Sequence, residues 1–325
     1  MAHIILVGCG GIGSRHLQGL SQIDRKVDIS IIDPNPESLI QGKKRFEDMP
    51  VNGLLESIGY YKSIDSLSGD IDLAIIATNS DIRRNVIEEL LEKVKVSFFI
   101  LEKVAFQSAE CFDHVLSLFR KHNVKAWVNC PNRAYHSYKD FKLRNYPSGK
   151  VNMHVDGGCW GLASSCIHYI DLFSYLTMET LIEFDTLGID PKLYSTKRDG
   201  FIEFGGYLCA RTIKGDTLTI VDDKKSGRPV VINIANEKSK CIVFETIGKA
   251  LVQTQEKSWD WEEVSFPILR QSELTHILVQ EILDNGTCDL ISIEESYLLH
   301  KPMLDAFNEH LTKVMGQKQI ECPIT

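Results

Sequence analysis

The chain has 325 residues, 43% of them hydrophobic and 25% charged, with a net charge of −8. That length supports roughly two domains with real cores. The acidic balance and the lack of a basic block argue against nucleic acid and anionic membrane surfaces as main partners. No apolar run approaches the ~18–20 residues of a membrane span.

The nine cysteines are scattered, with no C-x-x-C pair and no Cys/His spacing suited to zinc. This reads as reduced thiols, no metal site and a cytoplasmic protein. The opening "MAHIILVGCGG" lacks the basic region and cleavage site of a signal peptide.

In chain order, "HIILVG" (3–8) reads as a short buried strand, followed by a glycine turn and a helix, "IGSRHLQGL" (12–20). "DISIID" (28–33) is the next strand. "NPESLIQGKKRF" (35–46) is a helix with Pro36 in its first turn. The stretch 47–71 holds at most one weak strand, around "GYYKSI" (59–64). "DLAIIATN" (72–79) is a buried strand. "DIRRNVIEELLEK" (81–93) is a helix with Ile82, Val86, Leu90 and Leu91 on one face. "SFFILEK" (97–103), "SAECFDHVLSLFRKH" (108–122) and "KAWVNC" (125–130) add a strand, a helix and a strand. This alternation predicts a doubly wound parallel sheet with helices on both faces.

After residue 130 the pattern changes. "KVNMHVDGG" (150–158) alternates, "SSCIHYIDLFSYLTM" (164–178) reads as a helix, and 180–268 is mostly period-two segments. "ANEKSKC" reads as the connection of a hairpin. Two helices are expected at the end, over 271–285 and 292–316. Ser292 and Glu295 stand at capping-box spacing, and Pro302 is expected to kink or split the second helix. The expected fold class is α/β: an N-terminal Rossmann domain (1–130), then an α+β domain (131–325) with an open, mostly antiparallel sheet. The C-terminal helices have the option of packing back on the first domain.

"GCGGIG" fits G-x-G-x-x-G at Gly8, Gly10 and Gly13, after a strand and opening a helix. Gly8, Gly10, Gly11, Ile12 and Gly13 are therefore candidates to receive a pyrophosphate at a helix N-terminus. Asp33, twenty residues after Gly13, is placed to accept hydrogen bonds from ribose hydroxyls and to repel a 2′-phosphate. No Arg or Lys follows it immediately ("DPNPES"). The expectation is NAD rather than NADP. A glycine turn without a ligand, with Asp33 as a helix cap, is the bland alternative.

Glu102 and Lys103 end an apolar strand in "ILEKVAF". Charges there are costly unless paired or used, so they form either a salt bridge or part of a site. Ligands of doubly wound sheets bind outside the C-terminal strand ends, which favours a site. A lysine there can bond a substrate oxygen and ease proton movement during hydride transfer.

At these residues the chain resembles the glucose–fructose oxidoreductase, inositol dehydrogenase and rhizopine-catabolism family (Gfo/Idh/MocA), over nearly its whole length. "GCGGIGSRH", with His16, resembles the family's glycine loop. "ATNSDIR" (77–83) sits where the family has A-T-P-N-x-x-H, and "LEKV" where it has E-K-P. "NRAYHSY" (132–138) resembles the N-R segment, and "GLASSCIHYIDLF" (161–173) the D-x-x-x-H-x-x-D helix.

The resemblance implies catalytic roles for Lys103 and His168 as a proton relay, with Asp171 orienting His168 or stabilising its helix. It also implies that Thr78, Asn79 and Glu102 contact the nicotinamide end of the cofactor. Arg133, Tyr135, Trp160 and Ser164 are expected around the substrate, with packing as the alternative for each; His136 is a further candidate beside Arg133 and Tyr135. The chain departs from the pattern at Asn79, Val104 and Ser164; the last removes a carboxylate.

The expected function is NAD-dependent hydride transfer to or from a sugar, sugar acid or nucleotide-sugar carbinol, of the polysaccharide-cluster type. An NAD-bound sensor, and an enzyme that oxidises its substrate transiently, are the rivals. The open sheet implies a homodimer or homotetramer.

Overall fold

The computed structural model describes residues 1–50, 52–145 and 149–325, with Asn145 described by its backbone alone. The chain divides into two compact units. The first comprises Met1–Phe106, Glu110–Asn129 and Leu269–Ile293; the second comprises Gln107–Ala109, Cys130–Ile268 and Glu294–Thr325.

The first unit alternates strands β1 (Ala2–Val7), β2 (Val27–Ile32), β3 (Leu55–Tyr61), β4 (Ile71–Ile76), β5 (Val96–Leu101) and β6 (Lys125–Val128) with helices α1 (Gly13–Leu20), α2 (Pro36–Glu47), α3 (Arg83–Lys93) and α4 (Ala109–His122). These strands lie parallel in the order β6-β5-β4-β1-β2-β3. Ile4, Ile5, Leu6, Leu73, Ala74 and Ile75 have no exposed surface. Burial on both faces is why β1 and β4 read as unbroken apolar runs.

The second unit contains α5 (His136–Asn145), β7 (Asn152–Gly157) and α6 (Leu162–Thr177), then β8 (Ile182–Asp185), β9 (Tyr194–Ser195) and β10 (Ile202–Glu203). They are followed by β11 (Gly206–Thr212), β12 (Thr217–Asp222), β13 (Val231–Ala235), β14 (Ser239–Phe244), β15 (Lys249–Thr254) and β16 (Glu262–Ser265). Among the described residues its main sheet has eight strands in the order β16-β15-β14-β13-β7-β12-β11-β8. It is antiparallel except where β7 runs parallel to β12. Met153, Val155, Ile232, Ile234, Cys241 and Val243 are buried on one face, while their strand neighbours are half-buried or exposed. The chain ends with α7 (Gln271–Asn285), β17 (Ile291–Ser292) and α8 (Ile293–Met315).

The fold class expected from the pattern is therefore present, with four differences in detail. β3 starts at Leu55, earlier than the weak strand expected around 59–64, because it pairs with β2 along its length. The core face of α3 is Ile87, Leu90 and Leu91 together with Arg83; Ile82 is exposed and Val86 only half-buried. Residues 269–293 group with the first unit, where α7 packs on α1, the option left to the C-terminal helices, and where β17 adds an unexpected antiparallel strand beside β6. A two-residue strand carries no period to read, so β17 left no signal. Finally, Pro302 does not split α8, which runs unbroken. The buried stripe of Leu299, Met303, Leu304, Phe307 and Leu311 on either side of the proline holds the helix, and packing outweighs the missing hydrogen bond.

Candidate active site

In the first unit, a cleft of about 390 Å³ lies at the C-terminal ends of the parallel strands. Gly8, Gly10, Asp33, Thr78 and Asn79 line it, together with Ile82 and Val86. Two of the residues that helical spacing put on one face with Leu90 and Leu91 thus line the cleft. Gly8 has φ +90°, and a side chain there would meet the Ala77 carbonyl at 2.8 Å. A Cβ on Gly13 would lie 1.9 Å from the Gly8 carbonyl oxygen. These two glycines close the turn, whereas Gly10 and Gly11 have open space where a Cβ would be.

Asp33 follows β2 and is 8% exposed. Its Oδ2 accepts from the Cys9 N–H at 2.7 Å and its Oδ1 from the Asn35 N–H at 2.8 Å. The glycine loop thus holds the carboxylate at the cleft wall. Burial, with Asp33 adding to it, pushes the Cys9 thiol up to about 11, so this cysteine is no nucleophile at neutral pH. Lys62, just beyond β3, is the cation among the described residues lining the cleft.

The residues present fit a dinucleotide. The turn leaves Gly10 open, a carboxylate is fixed at the next strand end, and Thr78 Oγ1 is buried without a hydrogen-bond partner among the described residues. Buried polar atoms nearly always find a partner, so such a hydroxyl in a cleft lining suits a bond to a ligand.

Lys103 leaves the end of β5 in a segment where every other residue from Phe99 to Phe106 is buried; Lys103 alone is half-buried. Its peptide bond to Val104 is cis. Glu102, 6% exposed, turns inward. Its Oε1 accepts from His16 Nε2 at 2.9 Å and from Asn129 Nδ2 at 2.5 Å. His16 Nδ1 lies 3.0 Å from Thr275 Oγ1, and Asn129 Nδ2 also donates to Gln271 Oε1 at 2.8 Å. Burial pushes the Glu102 carboxyl up, but the His16 and Asn129 hydrogen bonds, with Lys103 nearby, hold it down at about 2. Glu102 is thus an ionised structural anchor beneath the Lys103 segment. The sequence offered His16 as part of the glycine loop, but Asn129, Gln271 and Thr275 carried no motif.

In the second unit, α6 carries Ser164, His168 and Asp171. Its N-cap, Gly161, has φ +94° and no side chain to cap with. Two distant carboxylates take that role. Asp222 Oδ2 accepts from the N–H groups of Gly161 and Leu162 at 3.0 and 3.1 Å. Glu203 accepts from the N–H groups of Ala163 and Ser164 at 2.9 and 3.0 Å. The four first donors of a helix need such partners, and anions suit that end. A carboxylate therefore does stand against residue 164, supplied by β10.

His168 is half-buried. Asp171, with no exposed surface, faces Arg133: Nε to Oδ2 at 2.9 Å and Nη2 to Oδ1 at 2.6 Å. This pairing accords with the packing alternative for Arg133 and with the helix-stabilising role for Asp171. Burial raises the Asp171 carboxyl to about 6 against the pull of Arg133. Tyr135 is 7% exposed, and burial with Glu245 nearby raises its phenol. The Tyr138 hydroxyl donates to Glu245 Oε1 at 2.7 Å. The Trp160 indole N–H donates to the Val221 carbonyl at 2.9 Å, and its ring meets Tyr169 edge-on at 5.4 Å. His136 lines a separate cleft beside β15 and β16. Among the described residues no cluster of three or more metal-ligating side chains occurs, and no helix is long and apolar enough to cross a membrane.

Residues 2–130 match the Gfo/Idh/MocA model, described as an oxidoreductase family with an NAD-binding Rossmann fold. No curated protein sequence matches the chain. Solved structures share the fold across both units. An oxidoreductase from Agrobacterium radiobacter, in complex with NAD+, L-tartaric acid and magnesium, is 13% identical, with 96% of this chain and 97% of that one covered and a TM-score of 0.72. The super-repressor mutant of Gal80p from Saccharomyces cerevisiae is 14% identical, with 98% and 97% covered and a TM-score of 0.71. KijD10, a 3-ketoreductase from Actinomadura kijaniata in complex with NADP, is 15% identical, with 94% and 96% covered and a TM-score of 0.68.

Proposed function

Starting from residues 2–130 as a member of the Gfo/Idh/MocA oxidoreductase family, we propose that the protein is an NAD-dependent oxidoreductase acting on the CH–OH carbon of a sugar, sugar acid or nucleotide-linked sugar. The observation that carries this reading is the strand-end cleft, where Asp33 is fixed by the glycine loop and Thr78 Oγ1 is buried without a partner among the described residues. When bound, the nicotinamide accepts or returns the hydride.

The chain's own residues hold the cofactor and move the proton. Gly8, Gly10, Gly11, Ile12 and Gly13 receive the pyrophosphate at the start of α1, and Asp33 takes the ribose hydroxyls. Thr78 and Asn79 hold the far end. Lys103, the half-buried residue of a buried segment, donates to the reacting oxygen and polarises it. His168, on an α6 anchored at its first turn by Glu203 and Asp222, takes up or returns the proton. Tyr135, Trp160 and Ser164 shape the substrate side, with Arg133 and Asp171 fixing the helix behind them.

Asp33 favours NAD, and Lys62 on the same cleft opposes it by attracting a 2′-phosphate. The expectation is tighter binding of NAD than of NADP, measured by calorimetry with both. The open face of the eight-stranded sheet carries Leu251, Ile242, Asn233, His154 and Thr219 in one paired row. We assign that face to association with a second copy, tested by light scattering.

The decisive experiment is NADH formation, followed by absorbance, over a panel of sugars, sugar acids and nucleotide sugars, with Lys103→Ala alongside. Substrate-dependent NADH that the variant loses by about 10²–10⁴-fold supports the reading. A second reading, an NAD-bound sensor or a transient oxidiser, rests on Ser164, which brings no carboxylate of its own. NAD binding without net NADH from any panel member favours it. Product formation without NADH then selects the transient oxidiser, and no chemistry the sensor.

A further inference from the structure

Arg83 is the first residue of α3 and is 1% exposed. Its position is unfavourable for the helix, since a cation at a helix N-terminus opposes the macrodipole. Its side chain makes no N-cap for α3. Instead the guanidinium reaches back to the strand ends. Nη1 donates to the carbonyls of Glu102, Val104 and Ala105 at 2.5, 2.6 and 2.7 Å. Nη2 donates to the carbonyl of Thr78.

These acceptors belong to two loops. One leaves β4 and carries Thr78 and Asn79, which line the cofactor cleft. The other leaves β5 and carries Lys103, flanked on both sides by carbonyls that Arg83 holds. The guanidinium is planar and presents five donors in a rigid fork, so one side chain can tie several carbonyls at fixed relative positions. A lysine in its place has one nitrogen rather than two, too compact to reach the carbonyls of both loops at once.

We propose that Arg83 is a positioning residue: it couples the Thr78–Asn79 loop to the Lys103 loop, so that Lys103 is held in register with the bound dinucleotide. This rests on the reading of Lys103 as the residue beside the reacting oxygen. Glu102 anchors the same segment from its side chain through His16 and Asn129. Arg83 holds it by the backbone. The two grips act on the residues immediately before and after Lys103. Small displacements matter here, because a misplacement of about 1 Å can cost about 100-fold in rate.

The test reads Lys103 directly. Trace acylation with acetic anhydride is quantified by mass spectrometry on the Lys103 peptide, with and without saturating NAD, in wild type, Arg83→Lys and Arg83→Met. Thermal melts establish that each variant is folded. In wild type, NAD is expected to slow acylation of Lys103. In Arg83→Met the protection is lost although NAD still saturates, and in Arg83→Lys it is kept in part. With a substrate from the panel, kcat of Arg83→Met falls about 100-fold while KM stays nearly unchanged.

Full protection of Lys103 in a folded Arg83→Met variant overturns the coupling and leaves the reading of Lys103 standing. Absence of protection in wild type overturns the reading of Lys103 itself, and the coupling with it. Where Arg83→Met does not fold, Arg83→Lys decides: protection equal to wild type overturns the proposal, and reduced protection supports it.

Discussion

Each unit buries one carboxylate close to a candidate catalytic residue, and the two are held in opposite states. Glu102, next to Lys103, lies in a network of His16 and Asn129 that continues to Gln271 and Thr275. Asp171, one turn beyond His168, has Arg133 as its ion-pair partner among the described residues. Burial opposes ionisation of both. It is overcome at Glu102, held at about 2, but not at Asp171, raised to about 6. A formal ion pair does not by itself secure a buried charge; the hydrogen bonds to its oxygens and the depth of burial decide the sign. The first unit thus gives Lys103 a fixed anionic neighbour, while the second keeps a carboxylate close to changing its charge near neutral pH.

The largest effect expected from this contrast is at Arg133. Arg133→Leu leaves Asp171 buried without its cation and should destabilise the protein by about 3–5 kcal/mol at pH 8. The loss should shrink at pH 5, where the carboxyl takes a proton instead. Urea unfolding at the two pH values checks this. The double variant Arg133→Leu, Asp171→Leu should recover most of the loss, since an apolar pair of similar volume replaces a buried ion pair nearly without cost. A double variant as weak as the single one would mean that Asp171 is held by more than Arg133.

Next in size are the two pH slopes. The Glu102 carboxyl falls on folding from an ordinary 4.5 to about 2. Its contribution, about 3 kcal/mol, is present above pH 4.5 and is lost as pH falls from there toward 2. The Asp171 carboxyl rises from 3.8 to about 6. Here the folded chain holds the extra proton, so stability declines as pH rises from about 4 to about 6, by a similar amount. Stability measured against pH in Glu102→Gln and Asp171→Asn should lose the first slope and the second, respectively. Equal slopes in both variants would erase the difference between the units.

The sequence shows the scaffold of this comparison but not its wiring. The glycine loop, Asp33 and the strand-end position of Lys103 were legible because each rests on local chemistry: a turn that needs glycine, a carboxylate at a set distance, a charge that ends an apolar run. His168 and Asp171 were legible as a helical pair. What Asp171 does was not, because Arg133 reaches it from a separate turn. Glu203 and Asp222, which cap α6, lie some forty to sixty residues from the donors they satisfy. Nothing in a strand marks one of its acids as a helix cap elsewhere. Arg83 stood inside a quoted motif, yet helical periodicity put Ile82 and Val86, not Arg83, on one face with Leu90 and Leu91. The tertiary need to tie four carbonyls put the guanidinium inside and turned those two apolar side chains to the cleft.

The smallest expected effect separates a polar group placed for the fold from one placed for a ligand. Glu102 spends its oxygen on the protein, whereas Thr78 Oγ1, also buried in the first unit, has no partner among the described residues. A hydroxyl left unsatisfied in the folded state costs stability, so Thr78→Val, which keeps the shape and removes the hydroxyl, should leave the cofactor-free protein unchanged or raise its stability by up to about 1 kcal/mol. The same substitution should weaken NAD binding by about 0.5–1.5 kcal/mol, a factor of roughly 2 to 12 in Kd, because one hydrogen bond is lost on binding. Melting without NAD and calorimetry with it measure the two halves separately. A drop in stability without NAD would mean that Thr78 bonds within the protein after all, and the cleft would lose its clearest mark of a ligand.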